Sequence, residues 1–152
     1  MDLGLSGRVA LVVGGTGYIG SAVVERLRAE GATVVAAARS AGADLVMDGR
    51  DAASTSAAVE RVLADHGRLD AVVVTAAPSA RTLDQARNSD PEQVLDAIDA
   101  KAMTFLRIAN AALPLMRDAG YGRIVGISGQ NAFVTGNVTG SVNRIRIRAT
   151  HI

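Results

Sequence analysis

The chain has 152 residues with 16 basic and 15 acidic side chains, a formal net charge of +1, and no cysteine. That length is one domain with room for a buried core, and the near-neutral balance gives no general pull toward nucleic acid or a membrane surface. The missing thiols exclude disulfides and thiolate-bound metal, and no other metal site is expected. The longest apolar runs fall far short of a membrane span, and Asp2 with Leu3-Gly4-Leu5 does not make an export signal. A cytoplasmic protein with no nucleic-acid or membrane partner is the expectation.

In chain order, Arg8 to Val13 reads as a first, buried strand and Tyr18 to Glu30 as a first helix. Between them stands Gly14-x-x-Gly17-x-x-Gly20. Gly14 lets the backbone leave the strand, Gly17 leaves room for a pyrophosphate at the main chain, and Gly20 allows the helix to pack tightly on the strand. The amides and positive dipole end of that helix favour an anion. Gly14, Thr16, Gly17, Tyr18, Ile19 and Gly20 are therefore the candidate pyrophosphate cradle. Such a glycine pattern also occurs in ordinary turns, so its context decides. The helix shows Ile19, Val23 and Leu27 on one predicted inward face, Gly31 stops it, and a new apolar run opens at Ala32, which completes a βαβ unit.

The second strand spans Thr33 to Ala38, and Arg39 follows it. In a dinucleotide fold this strand end faces the adenosine ribose; a guanidinium there suits a 2′-phosphate where a carboxylate would suit a free hydroxyl. NADP is thus preferred and NAD remains possible; the alternative is a solvated loop charge. Asp44 to Met47 reads as a short third strand, with Asp48 and Gly49 placed to meet the adenine. Asp51 caps a helix running to about His66, with Val59, Val62 and Leu63 inward and Gly67 ending it. His66 at the helix end is read as structural. Ala71 to Thr75 is a fourth buried strand, and Thr75-Ala76-Ala77-Pro78 is the turn at its ligand end.

Residues 79 to 90 are polar and irregular, a candidate loop bordering the crevice. Asp90-Pro91-Glu92 opens a long helical stretch to about residue 118, interrupted near its start, with apolar positions 94, 98, 102, 105, 109 and 113 as its packing stripe. Pro114 is expected to limit or bend its last turn. Arg123 to Ile127 is a fifth strand ending at Ser128. The alternation predicts an α/β class with a doubly wound parallel sheet of about five strands and no second domain.

The glycine loop, Asp48, Gly67-Arg68-Leu69-Asp70 and Gly122-Arg123-Ile124-Val125-Gly126-Ile127-Ser128 together resemble the short-chain dehydrogenase/reductase superfamily, over about residues 5 to 141. The resemblance implies a C-terminally incomplete Rossmann-type domain over residues 1–142, with 143–152 as an atypical tail. It also implies NAD(P)-dependent oxidoreduction of a carbonyl or alcohol substrate of unknown identity, and a homodimer or homotetramer built partly on the long helix. In the turn after the fourth strand, Thr75-Ala76-Ala77-Pro78 stands where the family usually carries Asn-Asn-Ala-Gly, and the resemblance implies that Ala76 and Ala77 line the nicotinamide ribose path.

Family members transfer the proton with a tyrosine whose pKa is lowered by a lysine four residues later, beside a serine that holds the reacting oxygen. This chain has two tyrosines, Tyr18 and Tyr121, and one lysine, Lys101, so no Tyr-x-x-x-Lys can be written. Ser128 near the family serine and Lys101 near the family's helix asparagine are the candidate catalytic groups. Asn137 and Ser141 fall where the tyrosine and lysine would stand, and Asn143 to Ile152 alternates isoleucine with arginine as an edge strand would. Two alternatives stay open: a non-catalytic NADP-binding or sensing module, and a non-functional truncated relative.

Overall fold

The computed structural model describes residues 3–78, 84–87 and 90–128. Five strands form one parallel sheet in the order β3-β2-β1-β4-β5: β1 (Val9–Val13), β2 (Thr33–Ala38), β3 (Leu45–Val46), β4 (Ala71–Val74) and β5 (Arg123–Gly126). The helices are α1 (Tyr18–Ala29), α2 (Ala52–His66), α3 (Pro91–Ile98) and α4 (Thr104–Asp118), with a π turn over Asp99–Met103 joining the last two. The predicted C-terminal tail at 143–152, with Asn137 and Ser141, lies outside the described residues.

β1 is the central strand, and all five of its residues are buried because both faces are covered. Side chains alternate across a strand, so Val9, Leu11 and Val13 enter a core with Val59 and Val62 of α2 and Ile108, Ala112 and Met116 of α4. Ala10 and Val12 enter the opposite core with Val24 of α1, Val34, Ala36 and Val73. Asp51 caps α2 by accepting from the Ala53 amide at 2.8 Å, and Gly67 ends it in the left-handed region at φ +72°. Asp90 caps α3 through the Glu92 amide at 2.9 Å, with Pro91 in the first turn.

Three local expectations are corrected. Ile19 does not face inward: it is 49% exposed, and Gly20 and Val24 form the buried side of α1, because Gly20 is the residue pressed on the β1 turn. The third strand shrinks to two residues at the sheet edge. Along the long helix the deepest residues are Ala97, Thr104, Ile108, Ala112 and Met116; of the expected stripe, Ala109 is buried while Val94, Ile98, Ala102, Phe105 and Leu113 are half-buried. The π turn absorbs one extra residue and rotates α3 relative to α4. Helix α4 continues through Pro114 to Asp118.

The chain leaves β1 toward β2 on one side and β4 on the other, so the strand order reverses at β1 and opens a crevice beyond the C-terminal ends of these strands. The turns carrying Gly14, Arg39 and Ala76 all emerge there.

Candidate functional site

The crevice begins at the turn after Val13. Gly14 holds φ +82°, and a Cβ there would meet Thr75 Oγ1 at 2.7 Å and the Ala76 nitrogen at 2.9 Å, so a side chain is excluded by both backbone and space. Gly20 lies directly against the Gly14 carbonyl and Thr75 Oγ1, which lets α1 approach the loop. Thr75 itself donates to the carbonyls of Val13 (3.0 Å) and Gly14 (3.2 Å), tying β4 to the turn. Ser21 makes the first backbone bond of the helix, to Gly17 O at 2.8 Å. The amides of Tyr18, Ile19 and Gly20 precede it, and among the described residues no backbone acceptor takes them. Thr16 Oγ1 sits 3.4 Å from Ser40 Oγ beside this helix end.

Next to the turn lies a cavity of about 550 Å³. Six of the residues singled out in the sequence line it together: Gly14, Arg39, Asp48, Gly49, Ala76 and Ala77. Thr16, Gly17, Tyr18, Ile19 and Gly20 form the adjoining turn and helix start rather than its walls, with the Tyr18 side chain 96% exposed. Arg39 is exposed, and among the described residues no carboxylate lies in salt-bridge distance of it. Arg50, Arg87, Gln93 and Asp96 also line the cavity and carried no signal in the sequence. Arg50 grips Asp96 through both guanidinium nitrogens (2.6 and 3.1 Å), which holds that carboxyl below its usual range. Their partnership spans 46 positions, and no local pattern announces it.

The loop Asp48–Arg50 is tied to the long helix at further points. Arg107 donates to Gly49 O at 3.4 Å and to Asp99 Oδ1 at 2.6 Å, while Gly49 packs against the Thr104 methyl. Within the loop, Asp48 Oδ1 accepts from the Arg50 amide at 3.0 Å, and the Asp48 amide donates to Ser54 Oγ at 3.0 Å.

Neither candidate catalytic group is brought into the cavity walls. Lys101 is half-buried in the π turn, between Ala100 and Thr104, which do line the cavity, and burial lowers its ammonium pKa. Ser128 is exposed beyond β5, where the Ile127 amide still bonds Val74 O at 3.0 Å. Tyr121 stands at the opposite end of the strands, just before β5, with Arg8 4.3 Å and Arg123 4.9 Å from its ring centroid. Beside it Asp70 is buried and accepts from Arg68 (2.7 and 2.6 Å), the Val9 amide (2.8 Å) and Arg8 (3.0 Å). Burial alone would raise this carboxyl; the bonds from Arg68, Val9 and Arg8 outweigh it and pull the pKa down to about 2. Among the described residues, no cluster of three His, Asp or Glu could hold a metal. No helix there is long and apolar enough to cross a membrane.

A parallel sheet with a glycine turn and open helix amides at its switch point defines the dinucleotide-binding class of α/β proteins. Residues 8–141 match the short chain dehydrogenase family, and the chain belongs to it. It is 33% identical to (2S)-[(R)-hydroxy(phenyl)methyl]succinyl-CoA dehydrogenase subunit BbsC of Thauera aromatica, a match covering 81% of this chain and 55% of that protein. A short-chain type dehydrogenase/reductase from Mycobacterium ulcerans superposes with a TM-score of 0.78 at 26% identity, over 92% of this chain and 58% of that one. Ribose-5-phosphate isomerase from Brucella melitensis 16M superposes with a TM-score of 0.84 at 25% identity, over 95% and 61%. The chain thus spans less than two thirds of the length of these relatives. The family binds NAD(P), and the side-chain-free turn at Gly14 with its neighbouring amides fits a diphosphate.

Proposed function

We propose that the chain binds a nicotinamide dinucleotide, NADP in preference to NAD, and serves oxidoreduction between a carbonyl and an alcohol. The observation that carries this reading is the gathering of Gly14, Arg39, Asp48, Gly49, Ala76 and Ala77 around one cavity beside the open amides of α1. Tyr18, Ile19 and Gly20 would hold the diphosphate through their amides, with Gly17 and Thr16 shaping the turn. Arg39 would pair with the 2′-phosphate, Asp48 and Gly49 would meet the adenine, and Ala76 and Ala77 would flank the nicotinamide ribose. The bound coenzyme supplies the hydride; the protein's remaining task is orientation and one proton. Lys101 and Ser128 are the described candidates for that proton.

A second reading, a nucleotide-binding subunit without turnover of its own, draws on two observations. The sequence holds no Tyr-x-x-x-Lys, and the Thauera relative is named as one subunit of a dehydrogenase. Thermal melts with NADPH and NADH test the shared core of both readings, because a ligand of the native state raises the midpoint. A midpoint that ignores both nucleotides overturns them. Turnover of NADPH on a panel of ketones, quinones and oxoacyl-CoA thioesters then separates them: oxidation above background supports the first, and binding without oxidation supports the second.

A further inference from the structure

The loop that would meet the adenine follows a strand of only two residues, so the sheet does little to hold it. Beside its own Asp48 turn and the Ser54 contact, the long helix holds it, through Arg50 on Asp96, the Gly49 carbonyl on Arg107, and Gly49 against Thr104. Asp96 and Thr104 are eight positions apart. In an unbroken α-helix they would differ by about 80° around the axis, at about 100° per residue. With one residue absorbed by the π turn at Asp99–Met103, the offset falls to about 20°, and both face the loop. Arg107, one turn further, is braced by Asp99 from within that same π turn.

We propose that Asp96 and Arg107 are positioning residues for the adenosine end of the dinucleotide, and that the π turn aligns them on the Asp48–Arg50 loop so that it meets the nucleotide preformed. This rests on the reading that the cavity takes a dinucleotide. A preformed loop loses less conformational freedom on binding, so breaking a tie weakens affinity.

The test is titration calorimetry of the intact chain with 2′,5′-ADP, which carries the adenosine end alone, beside a melt without ligand. Asp96→Asn should weaken 2′,5′-ADP about two- to fivefold, the range of a partly exposed ion pair, and Asp96→Glu should recover part of the loss. Gly49→Ala drives a methyl into Thr104 and should weaken binding further; Thr104→Ser, which removes the opposing methyl and keeps the hydroxyl, should restore it in the double variant. Unchanged or tighter binding by Asp96→Asn, whatever happens to its melting midpoint, would overturn the positioning role. A wild-type chain that ignores 2′,5′-ADP would instead overturn the dinucleotide reading itself.

Discussion

Replacing Asp70 by asparagine keeps the shape and removes the charge at the point where β1, β4 and the entry to β5 meet. The carboxyl is 5% exposed and accepts four hydrogen bonds from Arg68, Val9 and Arg8. Its pKa falls from an ordinary 3.8 to about 2, which corresponds to about 2 kcal/mol of native-state stability at neutral pH. Asparagine forfeits this and turns an NH₂ toward a guanidinium, so Asp70→Asn should lose about 2 to 4 kcal/mol. The sign of the pH dependence follows from a depressed acid. The wild-type contribution is complete above the unfolded pKa near 4 and disappears as pH falls through about 2, whereas asparagine does not titrate. Urea unfolding of both proteins from pH 7 to pH 2 measures the difference directly. A gap under about 0.5 kcal/mol at pH 7, or one that stays constant down to pH 2, would refute the assignment.

Other outcomes follow from the crevice. Gly20→Val places a branched side chain against the Gly14 carbonyl and Thr75 Oγ1 and should abolish the midpoint rise with NADPH; a full rise would show that α1 need not approach the turn. Arg39→Asp should shift the NADPH to NADH affinity ratio at least about tenfold toward NADH, read by calorimetry, since a charged pair on phosphate is replaced by repulsion. Lys101→Met should leave NADPH affinity intact and remove any turnover; retained turnover would take the proton away from Lys101.

The architecture was legible where local rules and burial agree. β1, β2 and β4 are short apolar runs because both faces are covered, and Asp51, Gly67 and Asp90 mark helix ends by side-chain acceptors or left-handed backbone. The cavity residues after β1, β2 and β4 were legible for a related reason, since loops at the same end of parallel strands must converge. The long helix was misjudged in phase because a period of 3.6 assumes no inserted residue, and the π turn inserts one. Ile19 was placed on the wrong side because apolar spacing cannot reveal that Gly20 is the contact. Arg50 with Asp96 joins distant segments by charge, and pairing of that kind leaves no periodic trace.

On the proposed reading, coenzyme binding and proton transfer fall on different residues. Tyr121 precedes β5 and Ser128 follows it, so at about 3.3 Å per residue the two stand roughly 20 Å apart along the strand direction. With its ring against Arg8 and Arg123 at the far end of β5, Tyr121 is a packing element and not a proton donor for the crevice. Tyr18 projects into solvent at the start of α1. No described tyrosine therefore stands in for the missing Tyr-x-x-x-Lys, and a serine hydroxyl does not titrate near neutral pH. Lys101, whose ammonium is weakened by burial within the π turn, is the one described candidate with a pKa displaced in the useful direction. If it supplies the proton, turnover should rise and fall with the protonation of an amine held below the ordinary lysine value. A pH-rate profile lacking an amine limb that Lys101→Met removes would take the proton away from Lys101.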